Sequence, residues 1–227
     1  MAPELAGPRP VTVSRQVTCD SASAKALSRI EVEDQACDWR FSLVRFPTIG
    51  WKFQFPISGS PELSVWARPA DSDQAAVDRL ERELGGPVPL SLASWWRTVG
   101  SVCLTRTPGS GPQIEYPDPL VVLPPNQALD ELAEWREDAV AQEVKPRFAA
   151  PIALDVFHKE DVSGGAPYEI ELPDERADAV LLNLEPALTF VQYLRHAFAW
   201  AGLPGYAEVY DTPPPELAAI ASRLEPL

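Results

Sequence analysis

The first third of the chain alternates apolar and polar side chains. Every second residue is aromatic or aliphatic at 39, 41 and 43 of the segment 39–46 and at 51, 53, 55 and 57 of the segment 51–57. Because successive side chains of a strand point to opposite faces, this period of two predicts two half-buried strands, with 63–66 as a third candidate. Residues 1–14 contain three prolines and are expected to form a flexible arm. We therefore interpret residues 15–70 as a β-rich extension.

From residue 72 the apolar positions change to the spacing of amphipathic helices. Capping residues and glycines delimit these segments, with Ser72 or Asp73 as a candidate N-cap and Gly85-Gly86 as a stop. The pattern predicts helices at 72–84, 89–99, 126–142 and 186–201, and a short last helix within 213–227. In the third helix, the predicted buried stripe consists of Leu129, Leu132, Ala133 and Val140.

Short apolar segments between these helices predict further strands. They lie at 102–105, 113–116, 120–123, 148–156, 168–172 and 179–182. Gly164-Gly165 is expected to turn the backbone with positive φ before the strand at 168–172. Strands mixed irregularly with helices favour an α+β fold over a repeating βαβ sheet. No linker or internal repeat separates the segments, so residues 15–227 are predicted to form a single domain.

Charge is distributed unevenly. The chain of 227 residues has a net charge of −14. Residues 1–70 contain 8 basic and 7 acidic side chains, whereas residues 71–227 contain 11 basic and 26 acidic ones. This excess disfavours nucleic acid and anionic membranes as partners and favours a basic protein. Acidity for solubility alone would give the same composition.

Neither a secretion signal nor an apolar run of the ~20 residues that span a bilayer is present in the sequence. A cytoplasmic location is therefore expected. The three cysteines, Cys19, Cys37 and Cys103, are an odd number without CxxC spacing, which suggests neither a disulfide framework nor a zinc site.

The usual catalytic motifs are missing from the sequence. His158 and His196 have no metal-ligand spacing, Cys103 lies among apolar residues, and prolines occupy the outer positions around Ser110 where GxSxG would require glycines. We accordingly expect no enzyme activity, no cofactor and no metal.

Four stretches, in order along the chain, resemble the SUKH superfamily, which includes bacterial immunity proteins and fungal cell-wall-synthesis regulators. They are LERELGGPVPLSLASWWRTVG (80–100), PDPLVVLPPNQALDEL (117–132), APIALDVFHKEDVSGGAPYEIELP (150–173) and TFVQYLRHAFAWAGLPGY (189–206). The resemblance covers roughly residues 72–210. Ala201 and Leu203 depart from the glycine and aromatic residue expected there, and residues 1–70 match nothing in the family.

The resemblance implies a mixed or antiparallel sheet backed by helices, with no catalytic residues. It also implies a protein-binding function, in bacterial members the neutralisation of a toxin by direct contact. We predict a contact surface on the third helix, formed by Asp130, Glu131, Glu134 and Asp138, with Trp135 as an aromatic anchor or a core residue. The alternatives are a regulatory scaffold and a small-ligand binder or hydrolase without a recognisable motif.

Overall fold

The structure is a computed structural model that describes residues 66–105, 114–141, 147–160, 162 and 164–223. Several features of the sequence lie outside these residues: the predicted arm at 1–14, the predicted strands at 39–46 and 51–57, Cys19, Cys37 and Ser110. The helices are α1 (Asp71–Leu84), α2 (Leu90–Thr98), α3 (Pro125–Ala141), α4 (Phe190–Ala199) and α5 (Pro215–Ala221). The strands are β1 (Trp66–Ala67), β2 (Ser101–Cys103), β3 (Val121–Val122), β4 (Phe148–Ala153) and β5 (Tyr168–Leu172).

Two small sheets form the β part of the fold. One has the order β1-β2-β3 and the other pairs β4 with β5, and all three pairings in the described part of the chain are antiparallel. Helix α3 packs against both β4 and α1, and α1 packs against α2. The fold is therefore α+β, as predicted. None of the helices described is long and apolar enough to cross a bilayer.

One hydrophobic cluster connects the helices and both sheets. Trp96 is completely buried in it, and its indole N–H donates to the Leu123 carbonyl at 2.8 Å. That bond satisfies the polar atom of a large buried side chain. It also ties α2 to the segment between β3 and α3, so the first half of the described chain packs as a unit.

The caps of α1 show which local signals determine a helix end. The helix begins at Asp71, with Ala70 as its N-cap, instead of Ser72 or Asp73. Asp73 lies three residues after the N-cap, and its carboxylate accepts the Ala70 N–H at 2.9 Å. Gly85 ends the helix in the left-handed region at φ 70°, as predicted from the glycine pair.

The fourth helix begins later than predicted. It starts at Phe190, not at Pro186, because Thr189 and Gln192 form a reciprocal capping box. The residues just before it are extended: Leu181 donates its N–H to the Leu188 carbonyl at 2.8 Å. Pairing with the 179–182 segment therefore prevents residues 186–189 from joining the helix.

Most of the predicted strands are shorter than expected or absent: β2 ends at Cys103 instead of 105, and β3 is limited to Val121–Val122. Residues 114–116 form no strand, and the two prolines that follow, Pro117 and Pro119, lack the N–H that a ladder requires. β4 ends at Ala153 instead of 156, before the turn in which Asp155 bonds to the backbone. The 179–182 segment makes only isolated bridges, to Glu169 and to Thr189.

Candidate functional site

Only three of the five residues in the predicted contact surface on α3 are exposed. Asp130, Glu134 and Asp138 are exposed and lie four residues apart, so they form one row along the outer side of the helix. We call these three residues the acidic row. Among the described residues, none of the three has a basic side chain at ion-pair distance. The helix's one arginine, Arg136, instead binds the carboxylate and carbonyl of Glu83 on α1.

Glu131 neighbours the acidic row on α3 but is less exposed. It is half-buried, and its charge acts on Glu169 of β5. The pKa of Glu169 is raised mainly by burial; a hydrogen bond from Asn183 opposes that rise and the negative charge of Glu131 adds to it. Glu131 is therefore coupled electrostatically to the sheet.

Trp135 is a core-boundary residue. It is half-buried and packs against the hydrophobic cluster, with its ring centroid 5.8 Å from that of Phe148 at an interplanar angle of 62°. The buried stripe of α3 is formed by Ala128 and Leu132, with Leu129 and Trp135 at its edges. Ala133, predicted in that stripe, is exposed, whereas the side chain of Val140 lies outside the described set.

A pocket of about 780 Å³ lies on another part of the molecule. Because its walls come from segments far apart in sequence, no single stretch reveals it. The lining residues are 116, 118, 155–157, 165, 166, 168, 183–186, 188, 204, 205, 207 and 208, together with Tyr193 and His196 of α4. Throughout, "the pocket" refers to this set.

A buried ion pair lies at the inner side of the pocket. Lys159 is completely buried, and its Nζ donates to Asp118 Oδ1 at 2.5 Å and to the Tyr193 hydroxyl at 3.5 Å. The same ammonium lies 4.7 Å from the ring centroid of Tyr168 and 5.8 Å from that of Tyr193. A buried ammonium requires such pairing because its desolvation is costly. Asp118, which accepts the hydrogen bond from this ammonium, has a left-handed backbone conformation with φ 44°.

The two tyrosines of this cluster remain neutral near pH 7. Burial raises the pKa of Tyr168, and the negative charge of Asp118 adds to that rise while Lys159 opposes it. Burial raises the pKa of Tyr193 well above its ordinary value, and Asp118 again adds to the rise. Both hydroxyls can therefore exchange hydrogen bonds, but neither can act as a base at neutral pH.

A second inward carboxylate, Asp155, is fixed by local hydrogen bonds. Its Oδ1 accepts the backbone N–H of Phe157 at 2.8 Å and of His158 at 3.2 Å, and its Oδ2 contacts His158 Nδ1. Burial tends to raise the pKa of Asp155, but these hydrogen bonds outweigh burial and the pKa is lowered. The carboxylate thus stays ionised at neutral pH. Within the described ranges, no three His, Cys, Asp or Glu residues are grouped to hold a metal ion.

The glycine pair beside the pocket is required for a reason other than the predicted one. Neither Gly164 nor Gly165 has a positive φ. A Cβ on Gly164 would instead lie 2.4 Å from Phe157 Cβ, so the two segments approach too closely for any larger residue. This close contact holds Phe157 at the pocket wall.

Sequence reasoning missed the pocket and its buried lysine. From the sequence, His158 is the residue to consider as a metal ligand, but its side chain is half-exposed. The neighbouring Lys159 is the buried residue. The turn predicted at Gly164-Gly165 and the helix predicted at 186–201 are local features, but residues from both also contribute pocket walls.

Comparison with known proteins adds no assignment: no protein-family model matches the chain, and neither a curated protein nor a solved structure shows significant similarity to it.

Proposed function

We propose that this chain is a non-enzymatic, protein-binding domain of the immunity type, which neutralises a basic toxin in the cytoplasm by direct contact. The resemblance to the SUKH superfamily supports this proposal, and the α+β fold agrees with what that resemblance implies. The acidic excess in residues 71–227 supports a partner of opposite charge.

The acidic row is the observation that carries the proposal. Its three carboxylates project from one side of α3, and Arg136 is turned away toward α1. A field of one sign at an exposed surface accelerates encounter with a complementary surface and disfavours partners of like charge. In this proposal Trp135 packs α3 against the core, and the acidic row makes the contact.

A hydrolase is the alternative function for the two inward carboxylates, Asp118 and Asp155. A glycosidase-like pair requires one carboxyl group with a raised pKa, so that it can act as the acid. Asp118 is paired with Lys159, and the pKa of Asp155 is lowered. This arrangement supports binding over acid–base catalysis. A regulatory scaffold that binds several proteins would use the same acidic surface.

The test is a binding measurement with the protein encoded by the neighbouring gene. Reversing the acidic row (Asp130→Lys, Glu134→Lys and Asp138→Lys together) should weaken binding by roughly tenfold or more at low salt, since three favourable charges become unfavourable. The matched control reverses three other exposed acids, Glu175, Asp211 and Glu216, and should change affinity much less.

Two outcomes contradict different parts of the proposal. Unchanged affinity of the row variant would reject the acidic row as the contact. If the unaltered chain neither binds the neighbouring gene product nor reduces its toxicity in cells, the immunity-type function itself is wrong.

A further inference from the structure

We propose that the pocket binds an organic cation, namely a guanidinium or ammonium group carried on an apolar body. This site is distinct from the acidic row, and the inference does not depend on the proposed function. It rests on the charge of the pocket, its aromatic walls, its volume and one carboxylate oxygen that has no close partner among the described residues.

The charge of the pocket disfavours anions. Its lining contains four carboxylates, those of Asp118, Asp155, Glu185 and Glu208, and neither Lys nor Arg. The ammonium of Lys159 behind the wall offsets the charge of Asp118 alone. Because a concave site concentrates the field of its charges, an occupant with a positive charge is favoured.

Aromatic rings supply the second element of cation recognition. Tyr116, Phe157, Tyr168 and Tyr193 line the pocket, and the Tyr116 and Phe157 rings meet edge to face with centroids 5.3 Å apart. The negative face of such a ring attracts a cation within ~6 Å. The chain provides its own example, because the ammonium of Lys159 lies 4.7 Å from the centroid of Tyr168.

The volume indicates what carries the cation. At about 780 Å³ the pocket falls within the range of sites that enclose small organic molecules. A bare inorganic ion would leave most of it unfilled. Leu184, Pro186 and Leu188 give one wall an apolar character. The expected ligand therefore combines a cationic head with an apolar body, either as a free molecule or as an arginine side chain with its flanking residues.

Asp118 has one oxygen left to accept a hydrogen bond from the cationic head, while the exposed Glu185 and Glu208 supply negative charge that Lys159 does not offset. Its Oδ1 is taken by Lys159, whereas Oδ2 has only a 3.5 Å contact with the Tyr168 hydroxyl among the residues that the structure describes. Both oxygens of Asp155 are already engaged by Phe157 and His158. Glu185 and Glu208 are exposed and attract the ligand at the mouth.

Calorimetric titration of the full chain with Nα-benzoyl-L-arginine amide tests this inference. The neutral isostere Nα-benzoyl-L-citrulline amide serves as the matched ligand. We expect the arginine compound to bind at least tenfold more tightly, because only it presents a charge to the carboxylates. Ala166→Trp, a neutral substitution of an exposed lining residue, should abolish binding by filling the pocket.

The matched protein variants separate local from overall charge. Glu185→Gln/Glu208→Gln should weaken binding of the arginine compound by roughly three- to tenfold. Asp130→Asn/Glu134→Gln removes the same charge from α3 and should change it less than about twofold. Exposed side chains are altered in both variants, so both should fold.

The inference is overturned if the arginine compound does not bind at about 10 mM, a concentration that detects even very weak sites. It is also overturned if the citrulline compound binds equally well, or if the α3 control weakens binding as much as the mouth variant. A capped peptide with a central arginine identifies the source of the cation. Tighter binding than the benzoyl compound indicates a side chain of a protein, and weaker binding indicates a free molecule.

Discussion

The acidic row and the pocket contain the same kind of charge in opposite surroundings. The carboxylates of the row stand on the convex outer side of α3, where water and salt surround them. Those of the pocket lie in a concave site, where Asp118 is paired with a buried lysine and Asp155 accepts three hydrogen bonds. Asp118 and Asp155 are therefore held by interactions within the fold, whereas the acidic row lies on its surface.

This difference separates long-range from short-range function. Exposed charges are screened within ~8 Å at physiological salt and mainly guide encounter with a partner. Charges in a desolvated concavity act at short range and select the group that enters. Substitutions in the row should consequently alter association with little effect on folding, while substitutions in the pocket interior should alter stability first.

The largest effect is expected for Lys159→Met. The substitution removes the ammonium while leaving Asp118 ionised against a buried apolar side chain. Breaking a buried pair in this way costs about 3–5 kcal/mol, which chemical denaturation monitored by circular dichroism would measure. The triple neutralisation of the row, Asp130→Asn/Glu134→Gln/Asp138→Asn, should shift the same curve by no more than about 0.5 kcal/mol.

A double variant shows whether the charge pair itself is responsible. Lys159→Met/Asp118→Asn should be less destabilised than the sum of the two single variants, because no unpaired charge remains. Strict additivity would mean that the two groups do not interact as the geometry indicates. The contrast between interior and surface charge would then lose its basis.

A smaller effect is expected for Trp135→Ala. Since the ring is half-buried against Phe148, its loss should cost about 2 kcal/mol, less than for a fully buried ring. Thermal and urea unfolding would measure this, with the exposed neighbour Glu134→Ala as the control. If stability stays unchanged while partner binding is lost, Trp135 is an anchor of the contact surface and not a core residue.

The smallest effect is expected for Asp155→Asn, through pH. The folded-state pKa of Asp155 is lowered, so its ionised form stabilises the fold above the unfolded value of about 3.9. That contribution is lost as the pH falls through the folded-state pKa. The variant should be about 1 kcal/mol less stable at pH 7, and the difference should shrink as the pH falls below about 3.9 through the lowered folded-state pKa.

Urea titrations of both proteins between pH 7 and pH 3 would measure this difference. Glu175→Gln, at an exposed position, is the control and should show no such convergence. A constant difference between the Asp155 variant and the unaltered chain at every pH would contradict an electrostatic origin.

Much of the helical part of the fold was predictable from local signals. Gly85 ends α1 where the glycine pair indicated, and α2 lies within the predicted range 89–99. The late start of α4 was also readable, because Thr189 and Gln192 form a capping box three residues apart. The boundary predicted at 186 is therefore wrong by four residues.

By itself, the sequence determined the α+β class, the helices and the acidic excess, because caps, periodicity and charge depend on near neighbours in the chain. Only the tertiary structure decided that Lys159 is buried while His158 beside it is half-exposed, and that Glu131 is half-buried while Glu134 is exposed. The pocket belongs to the same category. Its carboxylates and rings come from segments up to 92 residues apart, from Tyr116 to Glu208, and meet only when the whole core packs.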